Sequence, residues 1–157
     1  SFVKKMSSIG WDKLMVKSEC LTRYLQASLV EHIGDKIQFI TPNDPKRRGA
    51  MLVFRVTGIT DMQQIEELLK QKHEFGQFEV DVRKPNNIRV TAHYGYTKFA
   101  DIQRFVCRLE QVIGLALTEQ KRISDAQIMQ KIGAFAHEEV KASHSGVEHT
   151  SNYMGYQ

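Results

Sequence analysis

Two cysteines, three prolines and one tryptophan in 157 residues exclude several classes of protein at once. Cys20 and Cys107 lie far apart with no Cys-x-x-Cys spacing, so neither a disulfide framework nor a closed zinc site is expected. Both fall within helical apolar patterns and read as reduced core or near-core thiols of a cytoplasmic protein. No apolar run approaches the length of a membrane span, and Ser1 to Ser8 lacks the apolar centre of a signal peptide. No glycine-rich phosphate cradle is present, and the serines sit in caps and towards the C-terminus rather than in a Ser/His/Asp arrangement. His137, His144 and His149 have no spacing that fits a closed site and no thiolate support, so no physiological metal is expected. The chain opens on Ser1 rather than Met, which suggests a piece or a processed form of a longer protein.

What remains is an ordinary globular composition, 41% hydrophobic and 25% charged, long enough to bury a core unaided. The net charge of +4 permits an anionic partner without requiring one. Lys46-Arg47-Arg48 is the one tight basic cluster. It follows Pro45 in a turn and lacks an accompanying aromatic strand pattern, so it reads as solvated rather than as a nucleic-acid or membrane surface.

The periodicity predicts a helix from about Ser8 to Glu31, with Trp11, Leu14, Leu21, Tyr24, Leu25 and Leu29 inward and Gly34 as its stop. Strands follow at Lys36 to Ile40 and Ala50 to Val56, the second apolar on both faces except Arg55 and therefore central. Thr60 with Gln63 has capping-box spacing for a helix to about Lys72 that turns Ile65, Leu68 and Leu69 inward. Gly76 then breaks the chain. A further helix opens at Thr97 or Lys98 and runs to about Leu117 on the stripe Ile102, Phe105, Val106, Leu109, Val112 and Ile113. Gly114 loosens its end, and Ser124 with Gln127 caps another helix carrying Ile128, Ile132 and Phe135. These elements imply a two-layer α/β domain, with a small, mostly antiparallel four-stranded sheet covered by the three longer helices. The expected organisation is a domain over 1–117, an appended helix over 118–142 and a loose tail over 143–157.

The centre of the chain is Val80 to Asp101. Val80 and Val82 alternate with Asp81 and Arg83, Lys84-Pro85-Asn86-Asn87 turns, and Ile88 and Val90 alternate with Arg89. A guanidinium is rarely buried without a partner, so Arg89 faces water or something negative. Two readings stay open on the residues alone: a strand arginine paired with Asp81 or Glu79, or a ligand-binding cation at a strand end. His93 is expected to be an exposed loop histidine, with approach to a substrate as the alternative. Tyr96 is expected to pack with a satisfied hydroxyl.

The run Val82-Arg83-Lys84-Pro85, then Ile88-Arg89-Val90, then Tyr96, Phe99 and Asp101, resembles the C-terminal region of kynureninase. So do Lys17 to Leu25 (KSECLTRYL) and Thr41-Pro42-Asn43-Asp44-Pro45 with the strand after it. The resemblance covers roughly Trp11 to Ile113 and corresponds to the small domain of that pyridoxal-phosphate-dependent family. It departs from the family at Met51, where a polar residue is common. It departs again at Thr91 to Tyr96, where the usual prolines are missing while the loop keeps its length.

The resemblance implies that Arg89 holds the α-carboxylate of an amino-acid substrate, a role suited to a planar fork of donors. It also implies a cytoplasmic homodimer in which a large domain, not matched here, binds pyridoxal phosphate and carries the catalytic groups. The implied reaction is hydrolysis of L-kynurenine or 3-hydroxykynurenine to anthranilate or 3-hydroxyanthranilate and L-alanine, with this chain inactive alone. The alternative is a non-catalytic α/β module that binds a small amino acid.

Overall fold

In the computed structural model, residues 2–145 are described. The chain divides into two compact units, Ser1–Leu117 and Thr118–Gln157.

The first unit begins with helix α1 (Phe2–Ile9) and continues into α2 (Trp11–Ile33). The helix expected from about Ser8 to Glu31 is α2, and α1 before it is a helix the periodicity did not predict. Gly10 separates them at φ 94°, a backbone state that side chains disfavour and glycine tolerates. Leu14, Leu21, Leu25 and Leu29 are buried as their spacing requires, whereas Trp11 is 55% exposed and does not belong to that stripe. Cys20, expected in or near the core, is exposed on the opposite face. Gly34, at φ 58°, ends α2 and donates its N–H to the Leu29 carbonyl.

Four strands follow: β1 (Ile37–Phe39), β2 (Met51–Val56), β3 (Asp81–Arg83) and β4 (Asn87–Thr91). They form one antiparallel sheet in the order β1-β2-β4-β3. β2 is central, as its apolar composition predicts, but its burial alternates. Leu52, Phe54 and Val56 are fully buried while Met51 and Arg55 are exposed. The register sets Phe54 opposite Ile88 and Val53 opposite Arg89. One face of the pair therefore carries the core and the other carries the cation.

Helix α3 (Met62–Lys70) lies between β2 and β3 in sequence. Its N-cap is Asp61, whose carboxylate accepts from the Gln63 N–H at 3.0 Å, not Thr60. Asp and Thr are both good caps, and sequence spacing alone does not separate adjacent candidates. Helix α4 (Phe99–Ser145) begins where Asp101 accepts from the Lys98 N–H at 2.8 Å. Ile65 and Leu69 of α3, and Val106, Leu109, Val112 and Ile113 of α4, join the α2 leucines and the inner sheet residues in one cluster.

The backbone shows no interruption at Gly114 and no fresh start at Ser124. Adding a Cβ at Gly114 would meet nothing, so no close packing demands a break there. In the second unit the described residues are helical to Ser145, and side chains 121–134 are exposed. Arg122 donates to Glu119 at 2.7 Å, one of the local pairs that support an exposed helix. The tail expected from 143 overlaps residues 146–157, which lie outside the described residues, as does His149. No described helix is long and apolar enough to cross a membrane.

Candidate functional site

A cavity of about 530 Å³ opens at the end of the sheet where β3 begins and β4 finishes. Its apolar wall comes from Phe78, Val80, Ile102 and Phe105, and its polar wall from Glu79, Asp81, Arg89, Thr91, Tyr96 and Asp101. Arg89 is the only basic residue among the described residues that line it. Ligand pockets of this size, mostly apolar with a few converging polar groups, are the usual form of a small-molecule site.

Local sequence explains why Arg89 reaches this cavity. In β4 successive side chains alternate, so burial of Ile88 against Phe54 sends Arg89 to the other face. Antiparallel pairing with β3 puts Asp81 directly opposite Arg89, and the two form an ion pair. Arg89 pairs with Asp81, as the first expected reading has it, and it also lines an open cavity, the setting that the second reading requires. Its side chain is 38% exposed and that of Asp81 35%, so the pair leaves guanidinium N–H groups within reach of a ligand.

Asp81 also accepts from Arg83, with contacts of 2.8 and 3.0 Å. One carboxylate thus serves two guanidinium groups, so Arg89 keeps charge to offer an anion. Burial pushes the Asp81 carboxyl up, but the hydrogen bond and charge of Arg83, and then those of Arg89, outweigh it. The net effect lies below the ordinary carboxylate value. Asp101, on the cavity wall, is also held below that value, first by the Lys98 N–H, against burial, and then by Arg104 at 2.5 Å.

The loop after β4 forms the cavity rim. Tyr94, His93 and Tyr96 stack in that order, with both centroid separations 4.5 Å and interplanar angles of 24° and 13°. His93 Nδ1 accepts from the Gly95 N–H at 3.0 Å, and the His93 carbonyl accepts from the Thr97 N–H at 2.9 Å. Lys17 Nζ, on α2, donates to the Tyr94 carbonyl at 2.6 Å and ties the loop down. The expectation that Tyr96 packs inside is corrected: it is 75% exposed. Its partner is a neighbouring ring in the same loop, a contact at i and i+3 that strand and helix periodicities do not flag. Met51, where the sequence departs from the family pattern, also lines the cavity and is 42% exposed.

The other sequence candidates lie elsewhere. Lys46 and Arg47 are exposed, while Arg48 turns back to donate to Gln26 of α2, so the three do not form one patch. His137 and His144 fall in α4, where their side chains are outside the described residues. Among the described residues no three His, Cys, Asp or Glu side chains gather as a metal site. Arg108 of α4 went unnoticed in the sequence. It is only 6% exposed and donates to the Leu68 carbonyl at 2.9 Å, in the last turn of α3. Its place inside the apolar stripe gives no sequence signal of that role.

Residues 14–109 match the kynureninase C-terminal domain family. The chain is 34% identical over 101 residues to kynureninase of Xanthomonas oryzae pv. oryzae, which covers 64% of this chain and 23% of that protein. It is 38% identical over 101 residues to kynureninase of Myxococcus xanthus, covering 64% and 22%. The chain therefore spans less than a quarter of the length of the curated relatives it matches. The match contains all four strands, and with them Asp81 and Arg89. The chain belongs to the kynureninase C-terminal domain family.

Proposed function

We propose that this chain is the small domain of a kynureninase and that Arg89 holds the α-carboxylate of its amino-acid substrate. The observation that carries this reading is a partly exposed guanidinium on a cavity wall, braced by a carboxylate it shares with Arg83. Asp81 fixes the orientation of the fork. The remaining N–H groups then meet a carboxylate with two parallel bonds, each worth about 1.5–3 kcal/mol. The apolar wall of Phe78, Ile102 and Phe105 keeps water from competing for those donors.

Pyridoxal phosphate does not fit these residues as its own site. No lysine among the described residues lines the cavity to meet its aldehyde, and the three carboxylates of Glu79, Asp81 and Asp101 beside the single cation Arg89 do not suit a phosphate. In the proposed assembly the cofactor belongs to a large domain. That domain supplies the groups that cleave L-kynurenine or 3-hydroxykynurenine to the corresponding anthranilate and L-alanine, within a cytoplasmic homodimer. This chain binds and orients the substrate, and it releases no anthranilate alone.

The test is anthranilate release by the assembled enzyme, with this chain joined to or mixed with its large domain. Arg89→Ala is expected to lower kcat/KM by about a hundredfold or more, mainly through KM, from the loss of two charge-assisted bonds. Arg89→Lys should recover part of it, since a point charge replaces the fork. Unchanged kinetics in Arg89→Ala would remove the carboxylate role. Saturable amino-acid binding by the chain, combined with no effect of a large domain, would favour the non-catalytic module instead.

A further inference from the structure

The rim of the cavity holds a feature that a carboxylate clamp does not use. Tyr96 stands 75% exposed on the cavity wall, with one face of its ring covered by His93. His93 is in turn backed by Tyr94, so Tyr96 is the outermost member of a three-ring stack. Backbone bonds inside the loop and the Lys17 anchor on α2 hold the stack in place. A large aromatic ring left in water beside a cavity with one apolar wall, and fixed from behind, is a preformed stacking surface. Its cost of ordering is already met before a ligand arrives.

We propose that Tyr96 is the ring platform of this cavity. A ligand whose carboxylate rests on Arg89 lays an aryl group against the open face of Tyr96, so the cavity selects aromatic over aliphatic amino acids. The proposal deepens the reading of Arg89 as a carboxylate clamp and rests on it. The Arg89 bond supplies affinity common to all amino acids, and the Tyr96 stack supplies the difference between them. His93 acts as a positioning residue that fixes the plane of the Tyr96 ring.

The experiment is a nuclear magnetic resonance titration of the full chain with L-phenylalanine and with L-alanine. The pair shares a carboxylate and an ammonium group and differs by one ring. The wild-type chain should bind L-phenylalanine roughly three- to tenfold more tightly, the range expected for one aromatic stack. In Tyr96→Leu that ratio should fall to near one, with the loss on the L-phenylalanine side, and Tyr96→Phe should restore it. His93→Ala should reduce the ratio partway. Arg89→Ala should weaken both ligands by a similar factor. An unchanged ratio in Tyr96→Leu, while Arg89→Ala still weakens both, overturns the platform and leaves the clamp standing. Equal binding of both ligands by the wild-type chain, or no binding of either, also overturns it, because the platform needs nothing outside this chain. If Arg89→Ala affects neither ligand while the ratio still depends on Tyr96, the clamp fails and the ring surface survives.

Discussion

Two arginines in different regions of the domain show what a guanidinium can be used for. At the junction of α3 and α4, Arg108 is 6% exposed and gives a hydrogen bond to the Leu68 carbonyl, closing the end of a helix from within the core. At the end of the sheet, Arg89 is 38% exposed, pairs with a carboxylate already shared with Arg83, and borders a cavity. The first is used by the fold, because a cation at the C-terminal end of a helix gives its last carbonyls a charge-assisted bond, here beside the one Leu68 accepts from the Gln71 N–H. The second contributes little to the fold, because partly exposed ion pairs are weak. Its value lies in donors left over for a ligand. Burial and partner, rather than residue type, separate the structural cation from the binding one.

The contrast breaks most visibly on the structural side. Arg108→Ala should destabilise the domain by about 2 kcal/mol, since it strips the part-buried Leu68 carbonyl of a charge-assisted bond and leaves space in the core. Denaturant unfolding followed by circular dichroism measures this. An unshifted midpoint would mean that Arg108 does no structural work. Arg89→Ala, measured in the same way, should leave the midpoint close to wild type.

Asp81→Asn sharpens the other side of the comparison. Without the negative charge, Arg83 and Arg89 repel each other across the strands and the Arg89 fork loses its brace. Amino-acid affinity should fall severalfold, by less than in Arg89→Ala, while the fold persists. Titration of both variants with one amino acid gives the order. Equal affinity in Asp81→Asn and wild type would show that the brace is dispensable.

A smaller effect follows from pH. Asp81 and Asp101 are both held below their ordinary value of 3.8, so the folded chain keeps these carboxylates ionised more readily than the unfolded one. Their contribution is complete above that value and is lost as pH falls from about 3.8 through the lower folded values. The denaturant midpoint should hold steady down to about pH 4 and then drop, less steeply in Asp81→Asn. A midpoint that stays constant through pH 3 would contradict the bracing of both groups. The smallest expected effect is at Arg55, an exposed residue of β2 whose contact with Asn87 is 3.4 Å. Arg55→Ala should change neither stability nor binding measurably.

Much of this was legible in the chain itself, for physical reasons. Alternation at Ile88, Arg89 and Val90 demands that the cation leave the core face, and the turn at Lys84–Asn87 brings Asp81 opposite it. The stripe of Ile102, Val106, Leu109 and Ile113 required a buried helix and has one. What escaped had no periodic signal. The Tyr94–His93–Tyr96 stack lies in a loop, where ring contacts follow local turn geometry. Arg108 hides among apolar neighbours because one buried cation does not disturb a hydrophobic stripe. Trp11 fell on the apolar pattern by spacing but sits in the first turn of α2, directly after Gly10, and is exposed. The continuity of α4 past Gly114 reflects helix formers on both sides, which outweigh one glycine's cost of about 1 kcal/mol.

The most direct test of the account pairs the cation with the group it is said to hold. In the assembled enzyme, kcat/KM is measured for L-kynurenine and for its α-carboxamide, with wild type and Arg89→Ala. The account predicts strong discrimination against the amide in wild type and nearly none in Arg89→Ala, because only the carboxylate engages the missing fork. Discrimination of equal size in both proteins would contradict it, and would leave Arg89 a strand residue paired with Asp81.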